Sequence, residues 1–428
     1  MKAFYFVLII LLFIVSCGEN NPKKQEKQSS IISQNTSANK LYKIYKPSVV
    51  KLPDVLFVVI DAHADTELAI KHFRWSADQY GFQLIALNNV QNNDPQFEQH
   101  IQQAVKQAKQ DLEINPKYLI IAGFSGGARM ALNYAFNNTS QAVIMMGAGP
   151  GNQSQQFPFP LAMISGVQDF NFLEQFYPIN SPQVQNTNII SLHWGGKHEW
   201  PDSSTIIDAV SFVLYSSAAI NEDDIIRKPQ LEKAKQAQIN NNIFLYFKEL
   251  ELISKTSSGK LQEKTQNSIA AIQQSKKAQQ YFNRFNNTIT AEQKRNKIYL
   301  KYVDSKPLDW WQSDIKNIDS LIKNKKETKA DSYARTKAFL GILLYSRVSA
   351  AVAGRDNAKL LPKYLSIYEM LEPKNPDLYY FKAVYAYALS NNDETIINLK
   401  KALKYGFSND LKLQQSFPQI IISEAKKP

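Results

Sequence analysis

The sequence predicts an α/β fold, a doubly wound and mostly parallel sheet, followed by an all-α helical domain. Three observations carry this. From about residue 46 to 216, short continuous apolar runs alternate with longer amphipathic stretches, the pattern of parallel strands covered by helices on both faces. From about Asn221 onward the strand signals mostly stop and long polar helical stretches take over. Finally, the chain is segregated in charge and composition. Residues 51–216 carry eight Lys/Arg and fourteen acids, whereas residues 217–428 carry 35 Lys/Arg and 22 acids. All five histidines and ten of the fifteen glycines fall between residues 51 and 216. The chain of 428 residues thus divides into segments of different construction.

The first element is an address. Met1-Lys2 precedes an apolar run from Ala3 to Val15 and then Ser16-Cys17-Gly18. The run is too short to span a bilayer and has the basic start of an export signal. Ile14-Val15-Ser16-Cys17 resembles a bacterial lipobox, which implies lipidation of Cys17 and anchoring in the cell envelope, with the outer membrane as the expected location. Cys17 is the only cysteine, so a disulfide framework, a Cys-based zinc site and a CxxC pair are excluded. Residues 18–45, rich in Asn, Gln, Ser and Lys, read as a flexible tether.

The α/β region follows, over 46–216. Strands are predicted at 55–60, 82–87, 118–123, 142–146, 161–164 and 189–192, with helices over 67–80, 95–112, 129–136 and 204–215. Residues 217–325 form a long-helix region, in which 231–254 and 260–285 read as helices and Pro307-Leu308-Asp309-Trp310-Trp311 as an interruption. Residues 326–428 contain helix pairs, broken at Leu371-Glu372-Pro373-Lys374-Asn375-Pro376. Small and apolar Ala383, Ala386, Leu399 and Ala402 sit where two antiparallel helices would touch, a pattern that resembles tetratricopeptide-type hairpins.

The chemistry lies where strand 118–122 runs into Gly123-Phe124-Ser125-Gly126-Gly127 and then a helix. This is G-x-S-x-G in its required setting: the strand-to-helix turn strains the serine and lifts its hydroxyl above the sheet's C-terminal edge. Gly126 N–H then sits at a helix N-terminus, where developing negative charge is favoured. Neither a Walker lysine nor G-x-G-x-x-G is present, so a phosphate turn fits less well. A serine nucleophile needs a base and the base an orienting acid, in the chain order Ser, acid, His. Asp169 falls just past strand 161–164 and His198 just past strand 189–192. Asp169 also stands where it would cap the following helix, and the two roles are compatible. His193 lies on a strand and reads as structural.

Ser125, Asp169 and His198 in that order, with His63-Ala64 after the first long strand, resemble the α/β-hydrolase superfamily. The small lid-less form is similar to dienelactone hydrolases, carboxylesterases and polyhydroxyalkanoate-depolymerase-like esterases. The resemblance covers about residues 46–216 and implies a serine hydrolase with neither metal nor organic cofactor. A second oxyanion donor would then come from Asp61-Ala62-His63-Ala64-Asp65-Thr66. There Ala64 takes the place of a customary glycine, and either Ala64 or Asp65 N–H points inward.

The expected activity is hydrolysis of a carboxylic ester through an acyl-enzyme. The segment 147–156 is too short for a large lid, so the cleft should be open to small or oligomeric esters. The alternative is a catalytically weak or inactive lipoprotein that binds a protein partner through its helical half. Nucleic-acid binding is disfavoured by the export signal and the absence of a basic–aromatic motif.

Overall fold

The computed structural model describes residues 31–32, 41–92, 94–151, 157–179, 188–221, 224–324, 327–355 and 357–427. The export signal, Cys17 and most of the expected tether lie outside them.

Among the described residues eight strands form one sheet: β1 (Ile31–Ile32), β2 (Tyr42–Tyr45), β3 (Val55–Ile60), β4 (Gln83–Leu87), β5 (Tyr118–Phe124), β6 (Ala142–Met146), β7 (Leu161–Gly166) and β8 (Ile189–Trp194). Their order is β1-β2-β4-β3-β5-β6-β7-β8. Strands β3 to β8 are parallel, and β1 and β2 are antiparallel additions beside β4. All six residues of β3 are buried, so its side chains feed two cores. Phe57 and Val59 pack with helices α1 (Thr66–Tyr80) and α5 (Ser203–Ser216) on one face. Leu56, Val58 and Ile60 pack with α2 (Phe97–Asp111) and α3 (Gly126–Asn137) on the other. This is the doubly wound arrangement expected from the sequence. The chain leaves β3 toward β4 but returns to place β5 on the other side. The loops after β3 and β5 therefore diverge and open a crevice at the C-terminal edge, the usual ligand position in such sheets.

Strand β2 falls inside the stretch read as tether. Its Ile44 and Tyr45 are buried, and the Tyr45 hydroxyl donates to Asp78 at 2.8 Å. Four residues with Lys43 among them are too short a run to announce a strand by periodicity.

The remainder is helical: α4 (Phe172–Ile179) lies within the sheet domain, and α6 (Asp224–Ile239), α7 (Ile243–Lys255), α8 (Gly259–Gln274), α9 (Lys276–Ser305), α10 (Leu308–Asn324), α11 (Glu327–Val352), α12 (Leu361–Leu371), α13 (Pro376–Ala388), α14 (Asn392–Lys404), α15 (Asp410–Ser416) and α16 (Gln419–Lys426) follow it. The stretch 231–254 is two helices, because Asn241 turns the chain at φ 54° and Asn242 caps α7 through the Leu245 N–H. Pro307 ends α9's run, but Trp310 and Trp311 begin α10 rather than interrupt it. Fully buried Trp311, Tyr364 and Tyr368 centre the separate core of the helical half.

The two halves are packed together. Leu252 of α7 belongs to the sheet domain's core. Helix α7 follows the outer side of β8: Phe244 stacks on His193 at 5.7 Å, and Lys255 Nζ donates to the Ile189 carbonyl at 2.7 Å.

Candidate active site

Ser125 links β5 directly to α3 and holds φ 55°, ψ −117°, a strained conformation for a residue with a side chain. Its neighbours allow the tight turn only as glycines. A Cβ on Gly123 would sit 2.3 Å from the Gly127 carbonyl, and one on Gly127 would sit 2.3 Å from the Ile60 carbonyl. The Ser125 N–H is spent on the Met146 carbonyl at 2.8 Å. Gly126 opens the helix, and among the described residues none accepts from its N–H.

The structure brings the three distant residues together. Ser125 Oγ lies 3.0 Å from His198 Nε2, and His198 Nδ1 lies 3.0 and 3.1 Å from the two carboxylate oxygens of Asp169. Asp169 is fully buried and also accepts from the Asn171 N–H at 2.8 Å, so it shapes the turn into α4 while facing the imidazole. The loops carrying Asp169 and His198 are pinned to each other: Val167 N–H donates to the Trp194 carbonyl and Gln168 N–H to the Gly196 carbonyl. Phe170 and Phe124 wall the imidazole at 4.3 and 5.1 Å.

The β3–α1 turn differs from expectation. The Ala64 N–H donates to the Asp61 carbonyl at 3.1 Å, and the Asp65 N–H to Asp61 Oδ1 at 3.2 Å. The Asp65 side chain caps α1 by accepting from the Leu68 N–H. Neither expected donor faces the crevice. Asp61 is the common acceptor: its backbone carbonyl takes Ala64, and its carboxylate takes Asp65 together with the His63 N–H at 2.7 Å and the Trp200 indole N–H at 3.1 Å. A buried carboxylate draws every donor within reach, because leaving it unsatisfied is costly. Ala64 holds φ 60°, a glycine-like conformation.

Two further residues lie at the site without any motif to mark them. One is Asp61. The other is Asn92, in the loop after β4: its N–H donates to the Ala62 carbonyl at 2.9 Å, and its carboxamide stands directly over Gly126. A Cβ on Gly126 would lie 1.6 Å from Asn92 Oδ1.

The remaining histidines have other surroundings. His193 sits between Phe172 and Phe244 with Nδ1 2.9 Å from Ser165 Oγ; burial, aided by Lys248 and Arg335, pushes its pKa down to about 3. His72 stacks on Trp200, and burial lowers its pKa. His100 pairs with Asp94 at 2.7 Å. His63 is exposed on the crevice rim. Among the described residues no group of His, Cys, Asp and Glu could hold a metal ion.

The helical half reaches this rim. Arg335 of α11 is buried, forms a bidentate pair with Glu292 of α9 at 2.9 and 2.6 Å, lies over the Phe172 ring at 4.4 Å, and donates to the Val167 carbonyl at 2.5 Å. Gln168 Nε2 donates to Asp331 of the same helix at 2.9 Å. At the other rim, Asp377 opens α13 near His63. Burial raises the Asp377 pKa, opposed by the charges of Lys412 and His63.

No family model matches the chain, and no curated protein matches it. Among solved structures it is similar to α/β serine hydrolases at low identity. A serine hydrolase homologue from Coxiella burnetii is 14% identical, with 40% of this chain and 89% of that one covered at a TM-score of 0.30. A serine hydrolase without lid from Xanthomonas campestris is 13% identical, covering 44% and 94% at a TM-score of 0.33. A dienelactone hydrolase from Anabaena variabilis is 15% identical, covering 44% and 96% at a TM-score of 0.34.

Proposed function

We propose that the protein is a serine hydrolase acting on carboxylic esters. The observation that carries the reading is the continuous chain from Ser125 Oγ through His198 to buried Asp169, at 3.0 Å per link, beside an unspent Gly126 N–H. His198 Nε2 takes the Ser125 proton as Oγ attacks the ester carbonyl carbon. Asp169 holds the imidazole in the tautomer that accepts at Nε2 and stabilises the imidazolium that forms. The carbonyl π electrons move onto oxygen, and Gly126 N–H receives that oxyanion at the helix N-terminus. The carbonyl re-forms as the alcohol leaves with the proton from His198. Water then repeats the sequence on the acyl-enzyme and frees the acid. Because Asp61 engages the amides of residues 63–65, we assign the second oxyanion contact to the Asn92 Nδ2–H group, which serves once the carboxamide rotates to turn its nitrogen rather than Oδ1 toward Gly126.

Export and lipidation at Cys17 complete the proposal, placing the enzyme on a membrane of the cell envelope, and the α13–α14 hairpin is read as tetratricopeptide-like. The engagement of three backbone amides by Asp61 favours a second reading, in which the sheet domain is a weak or silent hydrolase and the helical half binds a partner. One experiment separates them. The full chain is treated with a fluorophosphonate probe and assayed on p-nitrophenyl esters of increasing acyl length, beside Ser125→Ala. Labelling and turnover that vanish in the variant support the esterase. A folded protein that neither labels nor turns over ends that reading.

A further inference from the structure

Between the sheet domain and the helical half lies an open pocket of about 660 Å³ that none of Ser125, Asp169 and His198 lines. It lies between the end of β8, α5, α6 and α7. Leu192, Trp194, Phe244 and Leu252 give it apolar walls, and exposed Asp202 and Glu232 stand at its rim.

Its charges do not balance. Four carboxylates and two ammonium groups line it. Asp208 of α5 is satisfied by Lys233 of α6 at 2.8 Å, and Lys248 of α7 turns to Glu251 at 3.0 Å. Glu249 of α7 is left over. It is 9% exposed, and its Oε2 has no hydrogen-bond partner among the described residues. Such a group is costly to bury alone and is normally satisfied by a partner, water or ligand. Burial and the nearby Asp208 push the Glu249 pKa up to about 7, against the pull of Lys233.

We propose that this pocket is a binding site for a small organic cation, an ammonium group on an apolar body, with Glu249 as its counter-ion. The ammonium pairs with the Glu249 carboxylate, and the apolar body lies against Trp194, Phe244 and Leu252. Net negative charge excludes carboxylate and phosphate ligands of the same size. The site stands independently of the esterase reading, since it shares no residue with the proposed nucleophile, base or acid.

The test uses the full chain and phenethylammonium as probe, followed by calorimetric titration, with 2-phenylethanol and 3-phenylpropionate as neutral and anionic controls. Saturable binding of the ammonium alone is expected, weakened about tenfold or more in Glu249→Gln, the size of a lost charge-assisted hydrogen bond. Wild-type affinity should rise from pH 6 to pH 8 as Glu249 ionises. The other charged groups facing the pocket are Asp202 and Asp208 of α5 and its cap, Glu232 and Lys233 of α6, and Lys248 of α7. His193 of β8 is held neutral over that range. Glu249→Gln should abolish the pH dependence. Equal binding of the alcohol, or a wild-type affinity flat between pH 6 and 8, overturns the proposal, and the second outcome can be read even if the variant fails to fold.

Discussion

Arg335 of helix α11 donates a hydrogen bond to the backbone carbonyl of Val167, two residues before the proposed catalytic acid Asp169. The helical half thus holds the loop that orients His198. Arg335→Met would leave Glu292 buried and unpaired, a loss of roughly 3–5 kcal/mol. Arg335→Met with Glu292→Leu removes that charge and should recover most of the thermal stability. The double variant still lacks the bond to Val167. Its kcat should fall about ten- to a hundredfold with KM unchanged, the worth of a charged hydrogen bond. A stable double variant with wild-type kcat would detach Arg335 from the acid loop.

Asn92→Ala tests the second oxyanion contact. Asn92 is exposed, so stability should hold within about 0.5 kcal/mol. Loss of one oxyanion donor should lower kcat about 10²–10³-fold. Steady-state kinetics on the best p-nitrophenyl ester, with an unfolding curve alongside, decides the matter.

Ala64 carries the φ of a glycine, at a cost of roughly 1–2 kcal/mol for an L residue. Ala64→Gly should relieve this and stabilise the fold by up to about 1 kcal/mol, after the entropy that glycine adds to the unfolded chain. Asp61→Asn should act in the opposite sense, by about 1–3 kcal/mol, because an amide cannot accept from both the backbone N–H groups and the Trp200 indole without presenting a donor to one of them. Urea midpoints measure both.

Glu249 makes stability pH-dependent. Its ordinary pKa of 4.5 rises to about 7 in the folded chain. Below pH 4.5 both states keep the proton, and above 7 both lose it. Between these values only the native state holds it, so stability falls as pH rises, by about 1.4 kcal/mol per unit and about 3 kcal/mol in all. Subtracting the Glu249→Gln unfolding curve, measured from pH 4 to pH 8, should isolate that slope. A difference that does not change across the window would show that the carboxyl is solvated.

The parts of the site that could be read in advance are those that each follow a recognisable strand. Ser125, Asp169 and His198 all stand just beyond largely buried, mostly apolar strands, and a parallel sheet brings such positions to one edge. Gly126 is legible for the same reason. Asn92 is not, because nothing in Asn88-Asn89-Val90-Gln91-Asn92 says which neighbouring turn it will overhang. Asp61 could be seen only as the end of a strand, and its grip on residues 63–65 is what turned Ala64 and Asp65 away. Arg335 meets Val167 across a sequence separation of 168 residues, a contact that no local pattern encodes. Strand β2 was hidden by its length.

The placement of α7 beside β8 bears on solubility. A parallel sheet ends in a strand whose outward N–H and C=O groups invite pairing with another chain. At one margin the described sheet tapers to the two-residue β1. At the other, α7 lies along β8 with Phe244 and Lys255 fastened to its two ends. The helical half therefore works as an edge guard. A chain ended after α5 would expose a six-residue, largely apolar strand to its copies and should self-associate strand to strand, whatever its chemistry.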